Sequence, residues 1–159
     1  WELGPDEGEG GDDRSFFALS PGGDRARVAL VARVMARAPR LAGWRLLAGK
    51  PPRTWALRFI MATATGEVEI DGTQWEAVLY RTPTGAIDVV LRPPAEPPLT
   101  ADDALAVAHI LVDGELGESV RLEVVGAIDV VRAWDDRAAP AARRLEVGLL
   151  ARLVRGSRH

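Results

Sequence analysis

The middle of the chain alternates between apolar and polar residues with a period of two. Four segments follow this pattern: residues 57–61, 68–70, 75–80 and 87–91. Alternation of this kind is typical of strands with one buried face, and short turns join such strands into antiparallel hairpins. Asp71-Gly72 and residues 83–85 supply the turn residues. We therefore expect consecutive antiparallel strands between residues 54 and 91.

Apolar residues recur at helical spacing on both sides of this region. After Asp24, which suits a helix N-cap, the spacing predicts an amphipathic helix that Pro39 ends at about residue 38. Thr100 followed by Asp103 resembles a capping box, and the helix that it begins is apolar nearly all round until Gly114 ends it. We expect this second helix to be the most buried, with Leu105, Ala108, Leu111 and Val112 inaccessible.

The remaining segments complete an α+β fold. Strands are predicted at residues 16–19, 44–48, 120–125 and 127–132, and a final helix is predicted to begin at Pro140. Hairpins with helices inserted between them are typical of one sheet with helices on one side. We therefore expect a single mostly antiparallel sheet of about six to seven strands, covered by helices on one face.

Length and composition place the chain among ordinary globular domains. Its 159 residues, of which 47% are hydrophobic, predict a single domain spanning residues 1–159. Residues 4–13 are rich in glycine and acid and predict a mobile loop, and residues 155–159 read as a tail, native or derived from a cloning tag. No apolar run approaches the length of a membrane span, so no membrane contact is predicted.

Several classes of catalytic chemistry lack their side chains in this sequence. The chain contains no cysteine, one lysine (Lys50) and two histidines. Thiolate catalysis is therefore excluded, and Schiff-base catalysis and a histidine-based zinc site are disfavoured. We predict no metal and no cofactor. The absence of cysteine also fits a reducing cytoplasm, and a net charge of −3 gives no reason to expect a nucleic-acid partner.

The turn before the first helix is a candidate anion site. Gly22 and Gly23 allow backbone N–H groups to point outwards at the positive end of a helix, and Arg25 lies beside them. The spacing matches neither of the longer glycine-rich nucleotide motifs. The alternative is an ordinary turn followed by a helix cap, in which Asp24 itself occupies the N–H groups.

His109, Asp113 and Glu118 are the candidate catalytic residues. His109 and Asp113 are four residues apart, so a carboxylate could orient the imidazole on one helix face. In this reading Glu118 or Asp113 acts as a base and Arg121 holds an anionic substrate. The alternative is a core or boundary histidine, because His109 also follows an apolar residue by one helical turn.

Two of the five tryptophans have polar neighbours and are candidates for an interface. Trp1 precedes Glu2, and Trp134 precedes two aspartates and an arginine. Arg143 and Arg144 lie on the polar face of the predicted final helix. Exposed tryptophan and arginine are typical of protein contact surfaces, although stacking of the two within one chain gives the same pattern.

Four short segments carry a family resemblance: residues 1–5 (WELGP), 18–24 (ALSPGGD), 38–44 (APRLAGW) and 116–118 (LGE). Together they resemble a bacterial family of uncharacterised single-domain proteins. The resemblance implies a bacterial origin and a compact α+β fold, and it assigns no activity.

The residues favour a non-catalytic protein-interaction or regulatory module over an enzyme. Its expected partner is another protein or a second copy of the chain. The alternative is a small-molecule-binding protein or a carboxylate-dependent hydrolase, with a pocket near His109 and Glu118.

Overall fold

The computed structural model describes residues 1–6, 14–64, 66–140 and 143–156. Residues 155 and 156 are described through their backbone alone. The strands are β1 (Glu2–Pro5), β2 (Ser15–Leu19), β3 (Trp44–Ala48), β4 (Arg58–Thr63), β5 (Gly66–Asp71), β6 (Glu76–Arg81), β7 (Ile87–Arg92), β8 (Val125–Val130) and β9 (Leu145–Glu146). The helices are α1 (Arg25–Met35), α2 (Ala101–Leu116), α3 (Glu118–Val124) and α4 (Leu150–Gly156), with 3-10 turns at Gly72–Gln74 and Val147–Leu149.

These elements form an α+β fold, as predicted, but the strands build three sheets. One sheet has the order β1-β2-β3, the β4-β5 hairpin stands alone, and a third has the order β8-β7-β6-β9. The prediction of a single sheet of six to seven strands was therefore wrong. The hairpin predictions are confirmed in part: β4 with β5 and β6 with β7 pair antiparallel, whereas β5 and β6, which the Asp71-Gly72 turn was expected to join, do not pair. Two other pairs, β2 with β3 and β7 with β8, are parallel.

The chain leaves one sheet for another at Asp71. The side chain of Asp71 accepts a hydrogen bond from the Thr73 N–H at 3.0 Å and begins the 3-10 turn Gly72–Gln74. A two-residue hairpin turn would have paired β5 with β6. The longer turn separates these strands, and β6 pairs with β7 and β9 instead.

The predicted starts of the first two helices are confirmed by their caps. The side chain of Asp24 accepts from the Ala26 N–H at 2.9 Å, and the Thr100 hydroxyl accepts from the Asp103 N–H at 3.1 Å. The end of α2 differs from the prediction, because the helix continues through Gly114 to Leu116. A Cβ atom at Gly114 would collide with the Trp55 ring, so this glycine provides close packing and does not end the helix.

Two segments near the C-terminus differ from their predictions. Residues 118–124 form α3, although 120–125 was predicted as a strand from the period-two spacing of its apolar residues at 120, 122 and 124. The segment after Pro140 contains β9 and a 3-10 turn before α4 begins at Leu150. The short strand β9 pairs with the edge of β6, a contact that local periodicity does not encode.

The core lies between the sheet β8-β7-β6-β9 and helices α2 and α4. Ala108, Leu111 and Val112 of α2 are fully buried, as predicted, whereas Leu105 is 38% exposed and the prediction for it was wrong. The expected mobile loop at residues 4–13 is corrected at its start, because Gly4 and Pro5 belong to β1. Residues 7–13 and 157–159 lie outside the described residues, while residues 155 and 156 continue α4.

Candidate functional site

An apolar groove lies on one face of the sheet β1-β2-β3. The strand register pairs Phe17 with both Leu3 and Leu46, so these three side chains point to the same face. Helix α1 packs beside β3 and covers only part of this face. The remaining groove encloses about 480 Å³, and its lining is apolar throughout: Leu3, Phe17, Leu19, Val34, Met35, Ala38, Leu41, Trp44 and Leu46.

The groove is open because α1 is a poorly buried helix. Val31 is its only buried residue, and Val34, which lines the groove, is exposed. In the loop after α1, Leu41 is 50% exposed, and Trp44 at the start of β3 is 42% exposed. Burying these side chains against another molecule would release apolar surface from water.

Six of the nine residues that line the groove come from a strongly basic part of the sequence. The net charge of −3 hides this, because no acidic residue occurs between Asp24 and Glu67. The basic residues in that interval are Arg25, Arg27, Arg33, Arg37, Arg40, Arg45, Lys50, Arg53 and Arg58. Three of them on α1 and the loop that lines the groove are exposed and have no ion-pair partner among the described residues: Arg33, Arg37 and Arg40.

The candidate anion site at Gly22 and Gly23 has acceptors from its own chain. The Gly22 N–H donates to the Ser20 hydroxyl at 2.9 Å, and the Gly23 N–H donates to the Glu118 carboxylate at 3.2 Å. Glu118 therefore fills the position that an external anion was expected to take. The Arg25 guanidinium donates to the Val125 carbonyl and does not join this contact.

Glu118 joins the first sheet to the helices that follow it. Its carboxylate also accepts from the Ser20 hydroxyl at 2.7 Å and from the Lys50 N–H at 3.2 Å. Burial of Glu118 raises the pKa of its carboxyl, but the hydrogen bonds from Ser20, Lys50 and Gly23 outweigh burial and leave that pKa below its ordinary value. The side chain is only 3% exposed. An ionised, fully bonded and buried carboxylate gives no support to a role as a base.

His109 and Asp113 share a face of α2 but do not contact each other as a catalytic pair. Asp113 is bonded to Arg121, whose Nε donates to Oδ1 at 2.7 Å. The expected alternative was a core or boundary histidine, and the exposure of His109 rules out the core position. Its ring lines a cleft of about 330 Å³ beside α3, together with Gly23, Arg25, Arg121, Leu122, Val125, Gly126 and Ile128. The cleft thus brings together residues from two separately predicted sites.

The residues predicted at an interface have different surroundings. The Trp134 Nε1 donates to the Glu76 carboxylate at 2.6 Å, and the Arg144 guanidinium lies 5.7 Å from the centre of the Trp134 ring. Both Trp134 and Arg144 are therefore engaged within the chain. Trp1 and Arg143 are exposed. Leu41 and Trp44 were not predicted at an interface, although the acid-free basic interval around them is visible in the sequence.

A larger concavity of about 610 Å³ lies between β1 and residues 51–55. Its charged groups have partners within the chain, since Arg45 pairs with Asp6 at 3.1 Å and the Arg53 guanidinium lies 5.4 Å from the centre of the Trp55 ring. The Trp55 Nε1 donates to Glu115 at 3.3 Å. Burial raises the pKa of Glu115, and this hydrogen bond offsets only part of the effect.

The described residues contain neither a metal-binding cluster nor a membrane-spanning helix. Within the described ranges, no group of three or more His, Asp or Glu side chains is placed to hold a metal ion. No helix in those ranges has the length and apolar character needed to cross a bilayer. Comparisons with protein-family models, with curated proteins and with solved structures each found no match to this chain.

Proposed function

We propose that this chain is a non-catalytic protein-interaction or regulatory module that holds a segment of a partner protein in the groove formed by β1, β2, β3 and α1. The observation that carries this proposal is the groove itself, about 480 Å³ in volume and lined by apolar side chains alone. An exposed apolar patch of this kind is typical of protein-binding surfaces. Its lining offers no acid, base or nucleophile with which to transform a substrate.

The expected partner segment carries acidic residues beside its apolar ones. Arg33 of α1, and Arg37 and Arg40 in the following loop, are exposed and have no ion-pair partner among the described residues. Basic charges at the rim of an interface favour an acidic partner and repel a basic one, chiefly through the association rate. Apolar anchors would fill the groove while acidic neighbours pair with the arginines. A bacterial origin and a cytoplasmic location stay predictions of the sequence.

The test uses four sets of fluorescent peptides that combine apolar or polar anchors with acidic or basic flanks. We expect only the apolar, acidic set to raise fluorescence anisotropy when the protein is added. Leu41→Asp places a charge in the groove and is expected to weaken binding by about tenfold or more. Ile60→Asp is the matched control, because Ile60 is 66% exposed and lies on β4, outside the groove.

Three other results would contradict the proposal. One is equal binding of acidic and basic peptides, and another is equal loss of binding in the two variants. The third is the absence of peptide binding. This result contradicts the proposal even if the groove binds vesicles of anionic lipid or a second copy of this chain. Vesicle flotation and sedimentation velocity detect those two occupants, and Leu41→Asp identifies the groove as their site.

A further inference from the structure

We propose that the cleft beside α3 binds a small organic oxyanion, independently of the groove. Four elements contribute to the cleft: the start of α1 with Arg25, α2 with His109, α3 with Arg121, and β8. Every titratable side chain in its lining is an arginine or a histidine. Its volume of about 330 Å³ is at the lower end of the range for small-molecule sites.

Contacts within the chain hold both guanidinium groups in position. The Arg121 Nε and Nη2 donate to the two oxygens of Asp113 at 2.7 and 3.5 Å, and the Arg121 side chain is mostly buried. The Arg25 Nη2 donates to the Val125 carbonyl. A guanidinium has five N–H donors, so each arginine keeps donors for a ligand after these contacts. Positions fixed in advance reduce the entropy that a bound anion would otherwise cost.

Three carboxylates near the cleft are directed to other partners. Asp113 lies against Arg121, Glu118 accepts the Gly23 N–H, and Asp88 accepts the Ala127 N–H at 2.8 Å. None of them is among the residues that line the cleft. Asp113 offsets the positive charge of Arg121, so Arg25 supplies most of the charge attraction for an anion, and the imidazole of His109 adds an N–H donor. An oxyanion meets N–H donors here and no lining carboxylate.

The cleft also has apolar side chains in its lining, which select among oxyanions. They belong to Leu122, Val125 and Ile128. A phosphate or carboxylate group joined to a small apolar body would place its oxygens on Arg25, Arg121 and His109 while its body covers the apolar side chains. Inorganic phosphate lacks the body and is expected to bind more weakly.

The experiment titrates phenyl phosphate, benzoate and inorganic phosphate into the full chain, with the imidazole proton resonances of His109 as the reporter and calorimetry for affinity. The spectrum of His109→Gln assigns those resonances. We expect phenyl phosphate to shift them and to bind more tightly than inorganic phosphate. Arg25→Gln is expected to weaken binding by about tenfold, and His109→Gln by at least about threefold, because each removes one of the side-chain groups that would donate hydrogen bonds to the anion. The benzoate arm distinguishes a carboxylate ligand from a phosphate ligand.

Arg33→Gln is the matched control, because it removes the same charge from the same helix and Arg33 does not line the cleft. Unchanged affinity in Arg33→Gln supports a local site. The inference is overturned if no anion shifts the His109 resonances, or if Arg33→Gln weakens binding as much as Arg25→Gln. His109 is exposed, so His109→Gln keeps the test informative where Arg25→Gln disturbs the contact with Val125. None of these results depends on peptide binding in the groove.

Discussion

Leu111→Ala is expected to lower the free energy of unfolding by about 2–5 kcal/mol. Leu111 is fully buried on α2, within the same core as Ile70 and Trp75. A Cβ atom at Gly72 would collide with its Cδ2, so the 3-10 turn after β5 packs directly on this side chain. Removing the isobutyl group leaves a cavity that neighbours in a close-packed core fill only partly. Urea denaturation at neutral pH measures the change.

Leu105→Ala is the matched control for Leu111→Ala. It makes the same substitution on the same helix, but Leu105 is 38% exposed. Less apolar surface is lost and no enclosed cavity forms, so we expect a loss of about 1 kcal/mol or less. If the two variants lost the same free energy of unfolding, Leu111 would not lie in the core.

Features that depend on residues close in sequence were the ones that the sequence predicted well. The caps at Asp24 and Thr100 involve residues within three positions, and both form as predicted. The two hairpins also depend on neighbouring segments, whose period of two and intervening turns determine their pairing. Forming such contacts closes only short loops, so the entropic cost is small, and short sequence patterns encode them.

Features that depend on distant partners could not be predicted in this way. The apolar residues at 120, 122 and 124 have the spacing of a strand, yet the segment is the helix α3 and packs beside α2. The strand β9 is two residues long and exists through its pairing with Glu76 and Ala77 of β6. The separation of the β4-β5 hairpin from the sheet that contains β6 follows from the turn at Asp71, whose short sequence suits a hairpin as well as a 3-10 turn.

The candidate sites show the same difference between features encoded locally and features that depend on distant residues. The basic interval that contains the groove can be read from the sequence, because the acidic residues are missing from it. The cleft could not be predicted, since Arg25 and His109 are far apart in sequence and meet only through the packing of α1, α2 and α3. The same holds for Glu118, a candidate base only in the alternative enzyme reading, whose partners at Ser20 and Lys50 lie 98 and 68 residues away.

Glu118→Gln is expected to lower the free energy of unfolding by about 2–4 kcal/mol at neutral pH. The carboxylate accepts three hydrogen bonds from Ser20, Gly23 and Lys50, and it is only 3% exposed. An amide of the same size has one acceptor oxygen, and its NH₂ group would face N–H donors. Glu115→Gln is the control, because Glu115 accepts a single bond from Trp55 and burial already disfavours its charge. A change of about 1 kcal/mol or less is expected there.

The pH dependence of the two variants distinguishes these environments further. Folding lowers the pKa of Glu118, so its stabilising contribution is present above the unfolded pKa of about 4.3 and is lost as pH falls through the lower folded value. Glu118→Gln is therefore expected to differ most from the parent protein at neutral pH, and the two stabilities should converge in acid. Folding raises the pKa of Glu115, so the contribution of its protonated carboxyl to stability is complete below the unfolded pKa and is lost as pH rises through the folded pKa. Glu115→Gln should thus gain stability relative to the parent protein between acid and neutral pH. Urea denaturation across this range measures both differences, and a Glu118→Gln difference that stays constant with pH would show that the carboxylate is not held ionised by Ser20, Gly23 and Lys50.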